Sequence, residues 1–174
     1  DELLVTDPEF MRGADIAGRL ELDPSARLLL VGGIRTGKTT QLKFVERQLH
    51  ESAILPLHID ASLMELGLGQ RIETFGALDS QSLVHAFSLA VLHCLSHASA
   101  PPKVRERARI ALRDEVEEGE QRDESIAMMA FKLVADSEAV LLIDGFDRVL
   151  TQVFEELVRA VGPMLDSFAI GCAM

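Results

Sequence analysis

Arg27-Leu28-Leu29-Leu30-Val31-Gly32-Gly33-Ile34-Arg35-Thr36-Gly37-Lys38-Thr39-Thr40 is the stretch on which the fold turns. Arg27 leads into an unbroken apolar run, Leu28 to Val31, closed by two glycines. Short runs of this kind suit strands buried on both faces, as in parallel sheets. Beyond the glycines, Leu42, Val45 and Leu49 recur at helical spacing, which predicts an amphipathic helix over Thr39 to Leu49. A buried strand, a glycine loop and then a helix make the opening of a βαβ unit.

Further along the chain the same alternation returns. Ile54 to Ile59 reads as a second strand, closed by Asp60, and Ala61 to Gly76 reads as irregular. Ser80 to His97 is apolar nearly all round and reads as a buried helix, ended by Pro101-Pro102. Lys103 to Glu124 is highly charged, basic first and acidic after, and reads as a solvated helix and loop. A docking or lid element is its sharper alternative. Ile126 to Val134 restores helical spacing, Ala139 to Asp144 is another buried strand, and Val153 to Val161 another amphipathic helix, stopped at Gly162-Pro163. Phe168 to Cys172 reads as one more strand. The whole predicts an α/β, doubly wound, mainly parallel sheet of at least four strands. Residues 25–174 form the core domain, and residues 1–24 its lead-in, with a vector-encoded origin left open for residues 1–10.

Gly32-Gly33-Ile34-Arg35-Thr36-Gly37-Lys38-Thr39 satisfies G-x-x-x-x-G-K-[ST] in full. Glycines let successive backbone N–H groups wrap close to phosphate oxygens, and the following helix adds the positive end of its dipole. The Lys38 ammonium then reaches the β- and γ-phosphates and the Thr39 hydroxyl a Mg²⁺ ion, with Thr40 next in the loop. With average residue usage the full pattern arises by chance in such a chain roughly once in two hundred. Gly32 to Thr40, Arg35 included, are therefore the candidate nucleotide-binding residues, with Lys38 also a candidate catalytic group.

Val140-Leu141-Leu142-Ile143-Asp144 supplies a second element, a carboxylate at the tip of a buried strand. Asp144 is the candidate metal ligand beside Thr39, acting through water because Mg²⁺ dehydrates reluctantly. Asp147, three residues on, is the candidate catalytic carboxylate for orienting or deprotonating a water. A helix N-cap or a partner for Arg148 are its alternatives.

Together, Gly-Gly-Ile-Arg-Thr-Gly-Lys-Thr-Thr and Leu-Leu-Ile-Asp-Gly-Phe-Asp-Arg resemble the Walker A and Walker B elements of STAND-type and AAA+-type P-loop ATPases. The likeness is closest to bacterial STAND-like modules, and to NACHT domains in the Asp-Gly-x-Asp turn. The resemblance implies a Mg-ATP-dependent conformational switch in a larger multidomain protein of signalling or defence type. It also implies homo-oligomer or interdomain contacts, and a strand between the Walker A and Walker B strands. Two departures stand out. The chain stops at Met174, where a sensor strand would begin and before any lid, and Gly145 occupies the place where motor-like relatives carry an acidic residue. ATP hydrolysis, a nucleotide-binding scaffold without turnover, and a small-molecule kinase thus stand as readings in that order.

Composition narrows the partners. Formal charge is 17 minus 28, or −11, a poor match for nucleic-acid phosphates or anionic lipid. No apolar run approaches the roughly eighteen residues needed to cross a bilayer. Two distant cysteines and no secretion signal predict reduced thiols in a cytoplasm. The absence of any asparagine removes the Asn-Lys-x-Asp guanine motif, so ATP is expected over GTP. His93 and His97, at i and i+4, have the spacing of a zinc pair but no further ligands in sequence. Ile16 and Leu20 read equally as adenine-pocket wall and as core.

Overall fold

The computed structural model describes residues 4–6, 13–30, 37–60, 80–118, 123–145 and 151–173. Its elements are β1 (Leu4–Thr6), α1 (Gly13–Leu22), β2 (Arg27–Leu30), α2 (Lys38–Glu51), β3 (Leu55–Asp60) and α3 (Ser80–His97). Then come α4 (Pro102–Glu118), α5 (Asp123–Asp136), β4 (Ala139–Asp144), α6 (Thr151–Ser167) and β5 (Cys172–Ala173). The five strands form one sheet in the order β1-β2-β5-β4-β3, every neighbouring pair parallel.

Period-two alternation divides the core into two layers. In β4, Val140 and Leu142 pack with Ile16 and Leu20 of α1 and Leu42, Val45 and Leu49 of α2. Leu141 and Ile143 pack on the opposite face with α3, α4, α5 and α6. Both faces of β4 are covered, which is why its sequence is a continuous apolar run. Ile16 and Leu20 are buried in the core, 1% and 0% exposed. On the larger layer Phe131 stacks between Phe87 and Phe168, with ring centroids 6.2 and 6.4 Å away. There α4 inserts Val104, Ala108 and Ala111 into the core, so this charged helix belongs to the body of the domain. Its acidic half also contributes Glu115, 3.1 Å from Nε2 of buried His85 on α3.

Crossovers have a consistent hand. The steps β1 to β2 and β2 to β3 run one way across the sheet and are bridged by α1 and α2 on one face. The steps β3 to β4 and β4 to β5 run back, bridged by α3–α5 and by α6 on the other face. Reversing direction and face together preserves handedness, as twisted parallel strands require. The chain therefore leaves β2 toward one face and β4 toward the other. In sheets of this kind the C-terminal edge between two such departures, here over the tip of β5, is where a ligand crevice is expected.

Several local expectations change. The lead-in is part of the domain: Leu4–Thr6 pairs with Leu28–Leu30 as a fifth strand, and α1 packs on α2. Helix α6 does not stop at Gly162-Pro163 but runs to Ser167. Proline costs a hydrogen bond there, yet Leu157, Val161 and Leu165 stay on one buried stripe across it, and burial wins. The last strand is consequently Cys172–Ala173, not Phe168 to Cys172, because Phe168 and Ala169 form the turn that ends α6. Three helix-to-strand turns share one device, a non-glycine residue with positive φ just past the helix: Ala53 (60°), Glu138 (51°) and Ala169 (51°). Each lets the last helical turn be capped, as in Ile54 N–H to Leu49 O and Ile170 N–H to Leu165 O, both 3.0 Å.

Candidate functional site

The two sequence elements meet at one edge of the sheet. Lys38, preceded by Gly37 at the N-cap, begins α2, the next element after β2, and Asp144 ends β4; β5 lies between those strands. A parallel α/β sheet places its ligand crevice at this edge, where adjoining connections diverge. Gly32, Gly33, Ile34, Arg35, Thr36, Asp147 and Arg148 fall outside the described residues.

Gly37 has φ +84°, in the left-handed region, and precedes the first helical residue. A Cβ there would meet nothing within 4 Å, so glycine is required by the backbone and not by crowding. Its carbonyl accepts the Gln41 N–H at 2.9 Å, closing the first turn. No side chain caps this helix start, and its first turn holds no acidic residue. Amide donors at such a start suit an anion, supported by the helix dipole. Lys38 is half-buried, whereas Thr39 and Thr40 are exposed.

Asp144 shares a face of β4 with Val140 and Leu142, the face covered by α2. It is partly exposed, and its Oδ1 accepts the Gly145 N–H at 2.8 Å. Gly145 has φ +88°. The position straight after Asp144 thus adopts a backbone that a residue with a Cβ enters only under strain.

A second carboxylate lies beside it. Asp60 is the in-register partner of Asp144 across the β3–β4 ladder. Leu57 and Ile59 turn to the α3 face, so alternation turns His58 and Asp60 to the α2 face. His58 fixes that assignment, because its Nδ1 lies 3.1 Å from Oε2 of Glu46 on α2. On the opposite side the Cys94 thiol donates to the His58 carbonyl at 3.4 Å, so β3 is held between α2 and α3. In sequence Asp60 is only the end of a strand. The signal that marks it is strand order, which a reading along the chain does not contain.

Other candidates resolve as structural. His93 and His97 are exposed with ring centroids 4.7 Å apart, while Cys94 between them turns inward. Burial and the nearby His97 lower the His93 pKa. No group of three or more His, Cys, Asp or Glu is arranged for a metal ion among the described residues. Burial pushes both thiols up to about 11, so Cys94 and Cys172 stay protonated and unreactive at neutral pH. A shallow depression lined by Lys43, Glu46, Arg47, His50 and Glu51 runs along α2, away from its N-terminus. Among the described residues no helix is long and apolar enough to cross a membrane.

No family model, curated protein or solved structure matches this chain.

Proposed function

We propose that this domain binds Mg-ATP at the C-terminal edge of its sheet, as a P-loop ATPase module of STAND-like type. The observation that carries the reading is that the described residues of two separate motifs lie at one edge of the sheet. The Gly37-Lys38-Thr39 helix start and the Asp144 strand tip flank the point where the chain departs to opposite faces. The strand between them, β5, also matches the spacing that the family resemblance implies.

In this reading the backbone amides entering α2 and the Lys38 ammonium hold the phosphates. The donors offered to a metal are the Thr39 hydroxyl and the Asp144 carboxylate, hard oxygens that suit Mg²⁺ rather than a soft transition metal. Bound Mg²⁺ would neutralise phosphate charge and polarise the terminal phosphoryl group. The chain's own part is to orient the phosphates along α2 and to present Asp144 across the crevice. Asp147 is the proposed group for positioning a water, and coupling to oligomerisation in a larger protein follows the same resemblance.

One observation favours the scaffold alternative. The left-handed Gly145 removes any carboxylate from the position next to Asp144, leaving hydrolysis to a group elsewhere. Binding and turnover are separable by experiment. Lys38→Ala is expected to abolish ATP binding measured by calorimetry, whereas Asp147→Ala retains it and loses phosphate release. Unchanged affinity in Lys38→Ala refutes the site. Equal phosphate release with and without Asp147 removes that residue's role, and no release from the wild-type chain favours the scaffold.

A further inference from the structure

We infer that Asp60 is a second metal-holding carboxylate of this site, acting on Mg²⁺ beside Asp144. The inference rests on the Mg-ATP reading and names a residue that the sequence motifs do not contain.

Three relations place it. Asp60 and Asp144 are Cα partners at the ends of adjacent parallel strands, which lie about 4.8 Å apart. Both carboxylates belong to the face covered by α2, by alternation from Leu57 and Ile59 in β3 and from Val140 and Leu142 in β4. The His58–Glu46 contact then sets the level of α2 over β3. Helix α2 runs back from the C-terminal edge, so moving toward that edge goes up the strand and down the helix numbering. Asp60 is two residues beyond His58, about 7 Å nearer the edge. Thr39 is seven residues before Glu46, about 10 Å in the same direction and on the same helical face. Thr39, Asp60 and Asp144 are thus carried to one end of the sheet, on one side of it.

A divalent cation held through its water shell can draw on carboxylates from both neighbouring strands at once. Coordination through water also needs no contact shorter than the strand spacing supplies, since Mg²⁺ keeps most of its waters. The left-handed Gly145 strengthens the case, because the position after Asp144 offers no second carboxylate and the adjacent strand does.

The test uses the 174-residue chain and a non-hydrolysable ATP analogue, titrated by calorimetry with Mg²⁺ and with EDTA. In the wild type Mg²⁺ tightens binding. Asp60→Asn is expected to cut that Mg²⁺-dependent gain about tenfold or more, as loss of a metal-supporting group does, while the EDTA affinity stays put. Asp60→Glu, which keeps a carboxylate, is expected to recover most of the gain. An undiminished gain in Asp60→Asn overturns the proposal. So does equal weakening of both variants with and without metal, which marks Asp60 as structural only. Lys38→Ala run in parallel separates the two ideas: it should lose binding under both conditions, and if it does not, the phosphate site itself is wrong.

Discussion

Replacing Gly171 by alanine tests the architecture at its most crowded point. An added Cβ would stand 2.1 Å from the Pro24 carbonyl oxygen, 2.9 Å from its carbon and 3.0 Å from the Ala26 oxygen. Ordinary contact begins near 3.4 Å, so the shortfall is 3.4 − 2.1, about 1.3 Å. The obstructing atoms are backbone and cannot rotate away. The strand must move instead, and two hydrogen bonds go with it. These are Leu141 N–H to Gly171 O and Cys172 N–H to Ala26 O, both 3.0 Å, which join β5 to β4 and anchor it beside β2. Two bonds at about 1 kcal/mol each, with about 1–3 kcal/mol for overpacking, give a loss of about 3–5 kcal/mol. Against a typical total of about 5–15 kcal/mol, that is a large share of domain stability. Urea unfolding followed by circular dichroism measures it. The control is Gly18→Ala in α1, where a Cβ meets nothing within 4 Å and a gain of about 0.5–1 kcal/mol is expected. If Gly171→Ala unfolds within about 1 kcal/mol of the wild type, the placement of β5 beneath the Pro24–Ala26 segment is wrong.

Other expectations follow from single observations. Ala53, exposed and at φ +60°, is a left-handed helix terminus without glycine, so Ala53→Gly should raise stability by about 1 kcal/mol in the same urea assay. Burial lifts the Cys172 thiol from 9.0 to about 11. Because the folded value is the higher one, its contribution is whole below pH 9 and is lost as pH climbs from 9 to 11, by about 3 kcal/mol at most. Urea midpoints across that window should fall, and Cys172→Ala should flatten the part of the decline due to this thiol. A thiol reagent at pH 8 should label neither Cys94 nor Cys172 in the folded chain and both in urea.

Element types were legible wherever burial imposes a pattern. Ser80–His97 and Ala139–Asp144 were read to the residue, because a helix or strand covered on its apolar sides has no choice of composition. The boundaries of α6 and β5 were not. Gly162-Pro163 is a local stop signal, and only the tertiary burial of Leu157, Val161 and Leu165 overrides it. The left-handed turns at Ala53, Glu138 and Ala169 were likewise hidden, since none carries the glycine that announces such a turn. At the candidate site, Lys38 and Thr39 at the start of α2 and Asp144 at the tip of β4 were legible in position, because a glycine loop before a helix and a carboxylate closing an apolar run are local patterns. Asp60 was not, because its neighbour lies 84 residues away and only the sheet order brings them together.

The middle strand of the sheet comes from residues 172 and 173, paired with residues 27 and 28 on one side and 141 and 142 on the other. During synthesis the chain emerges with two half-sheets, β1-β2 and β3-β4, that have no ladder between them until those residues leave the ribosome. Pairings so distant along the chain close slowly, and their open strand edges are hazards while they wait. A nascent chain of this domain therefore holds both halves of its sheet long before they are joined, and becomes one cooperative body only when the final wedge slides in.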